Sequence, residues 1–116
     1  MKYFERDGKY NFVDANNVFV GFDSESQCSE TFGWFISETQ PNEIDLNFTP
    51  LKSYDGFIFD PTFFYSGNDG DADFVTFRLK NGDKVLYLSL YNKQNGYYSH
   101  QFTAEMNGKV FQIGSL

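Results

Sequence analysis

A chain of 116 residues with a net charge of -7 has room for one domain with a single core and excludes two. Aromatic residues make up 21% of it and Ala occurs only at positions 15, 72 and 104, a mixture that favours strands over helices. No apolar run approaches the length of a membrane-spanning helix, the charged start MKYFERDGKY does not read as a signal peptide, and the single cysteine excludes an internal disulfide or a structural zinc site from this chain alone. A soluble cytoplasmic protein is expected.

KYNFV and VFVGFD form an expected hairpin joined through Asp14, Ala15, Asn16 and Asn17, residues suited to a turn. Ser24 followed by Gln27 has capping-box spacing and Gly33 sits where a helix would stop, which predicts a short helix over 25–32. Residues 34–37 and 43–48 read as strands bounded by Pro41 and Pro50. GFIFDPTFFYSGNDGD, interrupted by Pro61, reads as a short strand that leads into a turn loop.

The C-terminal third is the most regular part. DFVTFRLK and KVLYLSLY alternate around Asn81-Gly82, a strong hairpin signal, and a two-residue turn there sets Phe77 against Leu86 and Val75 against Leu88. A three-residue loop at Gln94-Asn95-Gly96 sets Leu88 against Phe102, and a turn at Asn107-Gly108 sets Phe102 against Ile113. All three turns turn Val75, Phe77, Leu79, Leu86, Leu88, Phe102, Ala104, Phe111 and Ile113 to one face. The expected fold is therefore a mainly β single domain over 1–116: an antiparallel sheet or partly open barrel with a four-stranded meander over 73–114. The other face of the meander carries Phe74, Thr76, Arg78, Val85, Tyr87, Ser89, Tyr91, Ser99, Gln101 and Thr103, so it is expected to be partly covered or partly functional.

Charge is unevenly distributed. Between Tyr10 and Phe77 twelve acids stand against the single Lys52, whereas the segment from Arg78 onward carries five basic residues and two acids. Two Arg in the whole chain argue against direct nucleic-acid binding, which needs clustered cations. The acidity serves solubility, or it attracts a basic partner.

NNVFVGFDSESQCSETFGWFI, residues 16–36, and LYNKQNGYYSHQF, residues 90–102, resemble a group of small uncharacterised proteins of bacteria and phages, a domain of unknown function. The resemblance implies a cytoplasmic bacterial or phage setting and carries no activity with it. In that pattern a second Cys often follows the first where this chain has Ser29, so thiol chemistry is not an implied shared function.

Candidate chemistry is sparse. Cys28 with His100 could act as nucleophile and base, a minor hydrolase reading, but no glycine elbow surrounds Cys28 and a lone Cys is more often a small buried hydrophobe. Asp69, Asp71 and Asp73 open with the rhythm of a calcium loop, yet Phe74 and Lys80 stand where its Gly and Glu are needed. The expectation is a non-enzymatic binding domain without cofactor or metal, docking on a basic protein surface through Glu25, Glu30, Glu38, Asp55, Asp69, Asp71 and Asp73, with Trp34, Tyr91 and Tyr97 as anchors. Mimicry of nucleic-acid charge by a phage-type inhibitor is the alternative. The Tyr-bearing sheet face offers a further surface for self-association.

Overall fold

The computed structural model describes residues 1–25, 31–51, 53–93 and 98–116. The described chain is all β, in nine strands: β1 (Lys2–Arg6), β2 (Lys9–Val13), β3 (Val18–Asp23), β4 (Thr31–Ser37), β5 (Ile58–Asp69), β6 (Ala72–Asn81), β7 (Lys84–Lys93), β8 (Gln101–Met106) and β9 (Lys109–Ser115). They build two antiparallel sheets, a five-stranded one in the order β1-β2-β3-β8-β9 and a four-stranded one in the order β4-β7-β6-β5, and neither closes into a barrel. Among the described residues no helix is long and apolar enough to cross a membrane.

One core fills the space between the sheets. Phe12, Val20, Phe22, Phe102 and Ala104 from the five-stranded sheet meet Phe59, Val75, Phe77, Leu79, Leu88 and Leu90 from the other, all buried. Aromatic contacts bridge the layers, with Phe77 and Phe102 rings 6.3 Å apart and Phe12 and Trp34 rings 5.1 Å apart. Period-2 alternation is the cause: alternate residues of the central strands share one face, and the two inner faces pack together.

The expected β2–β3 hairpin forms, held by Asp14. Its carboxylate accepts the N–H groups of Asn16 and Val18 at 2.9 Å and, across to the other sheet, that of Phe59 at 2.7 Å. The β6–β7 hairpin also forms, but its register differs from expectation by two residues: Asn81 faces Lys84, so Gly82 and Asp83 are the central pair. Gly82 alone has positive φ (59°), the pattern of a type II′ turn, whereas Asn81-Gly82 as the central pair would require a positive φ at Asn81 too. A shift of two preserves the face, so Phe77 now opposes Leu88 and stays buried.

The meander over 73–114 is corrected. β7 pairs with β4 and β6, β8 pairs with β3 and β9, and the chain crosses between the sheets after Lys93. β3 offers β8 a row of apolar partners, Phe22 for Phe102 and Val20 for Ala104, while β4 gives β7 Trp34 against Leu90. Leu88 and Phe102 share the core as expected, from opposite layers instead of adjacent strands.

The Asn107-Gly108 turn is present, both residues with positive φ, but a bulge between Ala104 and Glu105 shifts the remainder of β9. Phe102 then faces Gly114, Phe111 is half-buried against the core, and Ile113, expected inside, is 66% exposed. Residues 43–48 are not a strand, because Ile44 and Phe48 pack onto a sheet while Leu46 points to solvent and no strand pairs with the segment. Thr31 and Phe32, expected to end a helix, open β4; residues 26–30 of that helix lie outside the described residues. β5 is far longer than expected, because residues 61–63 with Pro61 sit in a bulge and pairing resumes at Phe64.

The outer face of the four-stranded sheet is half covered. Phe35, Phe74 and Tyr91 form a second small core beneath Ile44 and Phe48, and Thr76 and Ser89 share a buried 2.8 Å hydrogen bond. Tyr65 and Tyr87, also on this face, keep access to solvent.

Candidate functional site

The strand register sorts the acidic side chains between the two ends of the sandwich. Thr31 faces Lys93, and Lys93 faces Ala72, so the start of β4, the end of β7 and the β5–β6 turn lie at one end. Phe32 stacks on His100 at 4.0 Å and lies 6.4 Å from Phe22, which brings the Asp23 end of β3 to the same end. Glu25, Asp69, Asp71 and Asp73 therefore share it. Asp55 does not: a Cβ on its neighbour Gly56 would stand 2.8 Å from Asn81 Nδ2, beside the β6–β7 turn. Glu38 follows Ser37, which faces Tyr87 toward that same opposite end. The nine residue steps from Ala72 to Asn81 separate the two groups by roughly 30 Å.

At the acid-rich end the chain brings in two acids that the sequence pattern did not single out. The Ile44 amide donates to Asp69 Oδ2 at 3.0 Å, which pins the segment carrying Glu43 and Asp45 beside the Asp69-Gly70-Asp71 turn. Between them lies a hollow of about 260 Å³ lined by the apolar Ile44, Leu46 and Ala72 together with Asp69, Asp71 and Lys93. Leu46 is 56% exposed there. Asp73 Oδ1 accepts from Asn68 Nδ2 at 3.0 Å, so it braces the hairpin as well as charging it. Among the described residues no three His, Cys, Asp or Glu side chains gather as metal ligands.

The expected aromatic anchors are differently employed. Tyr91 is buried against Phe35 and Phe74, and burial pushes its hydroxyl up from the ordinary range. Trp34 is half-buried and ringed by Tyr3 at 4.5 Å, Phe12 at 5.1 Å and Phe48 at 5.4 Å, which makes it core. Glu30, Tyr97 and Cys28 lie outside the described residues. His100 is buried, its Nδ1 3.0 Å from the Asp23 carbonyl and 3.5 Å from Asp23 Oδ2, and its backbone exchanges both hydrogen bonds with Leu116. These contacts tie it into the framework of the five-stranded sheet.

Asp60 is the most strongly perturbed carboxyl among the described residues. The Thr62 hydroxyl at 2.6 Å, Arg78 at 2.6 and 3.0 Å, the Thr62 amide and Lys80 hold it well below the usual carboxylate range, against the opposing effect of burial. Arg78 also lies 4.7 Å over the Phe63 ring, so this cluster closes on itself and joins β5 to β6.

No family model matches the chain, and neither the curated proteins nor the solved structures contain a match to it.

Proposed function

We propose that this domain works by binding and catalyses no reaction: its acid-rich end docks on a basic surface of another protein, in a cytoplasmic bacterial or phage setting. The observation that carries this reading is the hollow between the Ile44–Leu46 segment and the β5–β6 turn, where aliphatic side chains meet the two carboxylates of Asp69 and Asp71, which outnumber the single cation, Lys93. A Lys or Arg side chain has the matching form, an apolar stem with a charged head. The excess of negative charge at this end speeds encounter with such a partner, and salt weakens the effect over a screening length of about 8 Å. Mimicry of nucleic-acid charge asks for a continuous row of carboxylates, and the gap of roughly 30 Å between Asp71 and Asp55 favours docking over mimicry.

The test is binding of a fluorescent Arg-rich peptide, measured by anisotropy at low and at moderate salt. Asp71→Asn with Asp73→Asn should weaken binding several-fold and flatten its salt dependence, and Glu38→Gln with Asp55→Asn at the other end should leave both unchanged. Equal losses from the two pairs would reduce the acidity to a general solubility device.

A further inference from the structure

Among the described residues the sheets have four free edges, and three of them are guarded against pairing with another strand. β1 carries Lys2, Glu5 and Arg6 within five residues. β5 is broken by its bulge at Pro61 and carries Asp60 and Asp69. β4 has the Phe48 ring against Trp34. β9 has the fewest of these devices: KVFQIGS contains one charge and no proline, and its one bulge is a single extra residue at Phe111 with regular pairing to β8 on both sides.

Exposed aliphatic surface gathers beside this edge. Ile113 is 66% exposed, Val110 46% and Met106 40%, three of the seven large exposed hydrophobic side chains among the described residues, all on the β8–β9 hairpin. The backbone there is open too. His100 and Leu116 exchange both hydrogen bonds, and the pattern alternates along an antiparallel pair, so the N–H and C=O of Ile113, opposite Thr103, point away from β8. Counting from the Met106–Lys109 pair that closes the turn, Val110 points outward in the same way. The bulge thus gives Val110 and Ile113, three residues apart, the same side-chain face and the same backbone direction.

We propose that β9 is a strand-addition edge occupied by β9 of a second copy of this chain, antiparallel about a two-fold axis, with Val110 of each copy opposite Ile113 of the other. This register pairs outward-pointing backbone with outward-pointing backbone and covers both exposed side chains twice. Charge selects this surface for a copy of the same chain. The molecule carries -7 overall, so contact through the acid-rich end would set carboxylates against carboxylates, whereas β9 contributes one lysine and no acid. One pairing of seven-residue strands buries less than the roughly 1,600 Å² of a standard stable interface, so the association is weak and concentration-dependent.

Sedimentation velocity from micromolar to millimolar protein tests the proposal, together with amide hydrogen exchange at the two extremes. The expected result is a rise from monomer to dimer mass, with the Val110 and Ile113 amides fast in dilute solution and slowed in the concentrated one. Ile113→Lys, a change at an exposed side chain, should remain monomeric with an unchanged circular dichroism spectrum, and Ile113→Pro, which removes the outward N–H, should do the same. A monomer throughout, mass growing past the dimer, no exchange difference at those two amides, or an Ile113→Lys protein that associates like the parent would each overturn it. The exchange comparison needs no variant, so a substitution that failed to fold would still leave the proposal open to refutation.

Discussion

Phe102 and Gly114 face each other across β8 and β9, and a methyl group on Gly114 would stand 2.8 Å from Phe102 Cζ. Phe102 is buried and holds the layers together through Phe64 and Phe77, so its ring has little room to retreat. Gly114→Ala should therefore destabilise the domain by about 1–3 kcal/mol, the range of overpacked cores. Urea denaturation checks this, with Ser115→Ala, next in the strand and exposed, as the neutral comparison. A Gly114→Ala protein as stable as the parent would mean that the bulge in β9 does not aim Phe102 at this glycine.

Asp14 lies in a turn but acts as a joint between layers, because one oxygen caps the β2–β3 loop and the other receives the Phe59 amide of β5. Asp14→Ala strands three N–H donors, two of them in buried surroundings, and should cost about 3 kcal/mol. Thermal unfolding measures the loss, and hydrogen exchange locates it: the Phe59 and Val18 amides should lose protection together. Unchanged protection at Phe59 would show that the bond between the layers contributes little.

Much of this architecture is legible in the sequence, and the parts that are not have physical reasons. Alternation at Val75, Phe77 and Leu88 identifies the core face because the side-chain period is two whatever the partner strand. It cannot say whether Leu88 and Phe102 are neighbours in one sheet or face each other across two, since both arrangements bury the same residues. Ile44, Leu46 and Phe48 alternate like a strand, yet only a partner makes a strand, and here they are a strap. Pro61 hides the length of β5, because a three-residue bulge absorbs it. The Asp69-Asp71-Asp73 rhythm marks part of the acid-rich end, but Glu43 and Asp45 join it only through the tertiary contact between Ile44 and Asp69. Tyr91 reads as a surface ring until the strap is known to cover it.

Asp60 gives the domain an acid-sensitive component of stability. Its carboxyl is held below the ordinary value near 4 in the folded state, first by the Thr62 hydroxyl and then by Arg78, so its contribution is complete above about pH 5 and is lost as pH falls below about 4. Denaturant titrations between about pH 6 and 2 should show a steeper acid decline for the parent than for Asp60→Asn, which lacks the titrating group. Parallel declines would assign the acid limb to other carboxylates.

Asp69 and Asp71 flank the same glycine, but only Asp69 has a structural partner in the strap, so the two acids separate stability from charge at the acid-rich end. Asp69 Oδ2 holds the Ile44 amide, and Ile44 in turn covers Phe35, Phe74 and Tyr91. Asp71 is exposed and carries no such bond, so Asp71→Asn should change stability by less than about 0.5 kcal/mol. Asp69→Ala should release the strap: the Ile44 amide exchanges faster, the near-ultraviolet dichroism of the Tyr91 cluster weakens, and stability falls by about 1–2 kcal/mol. The inner core between the sheets does not depend on this bond, so amides of β3 and β8 should keep their protection. Faster exchange across both sheets in Asp69→Ala would make the strap part of the global fold, and no change at Ile44 would mean that its apolar contacts alone hold it in place.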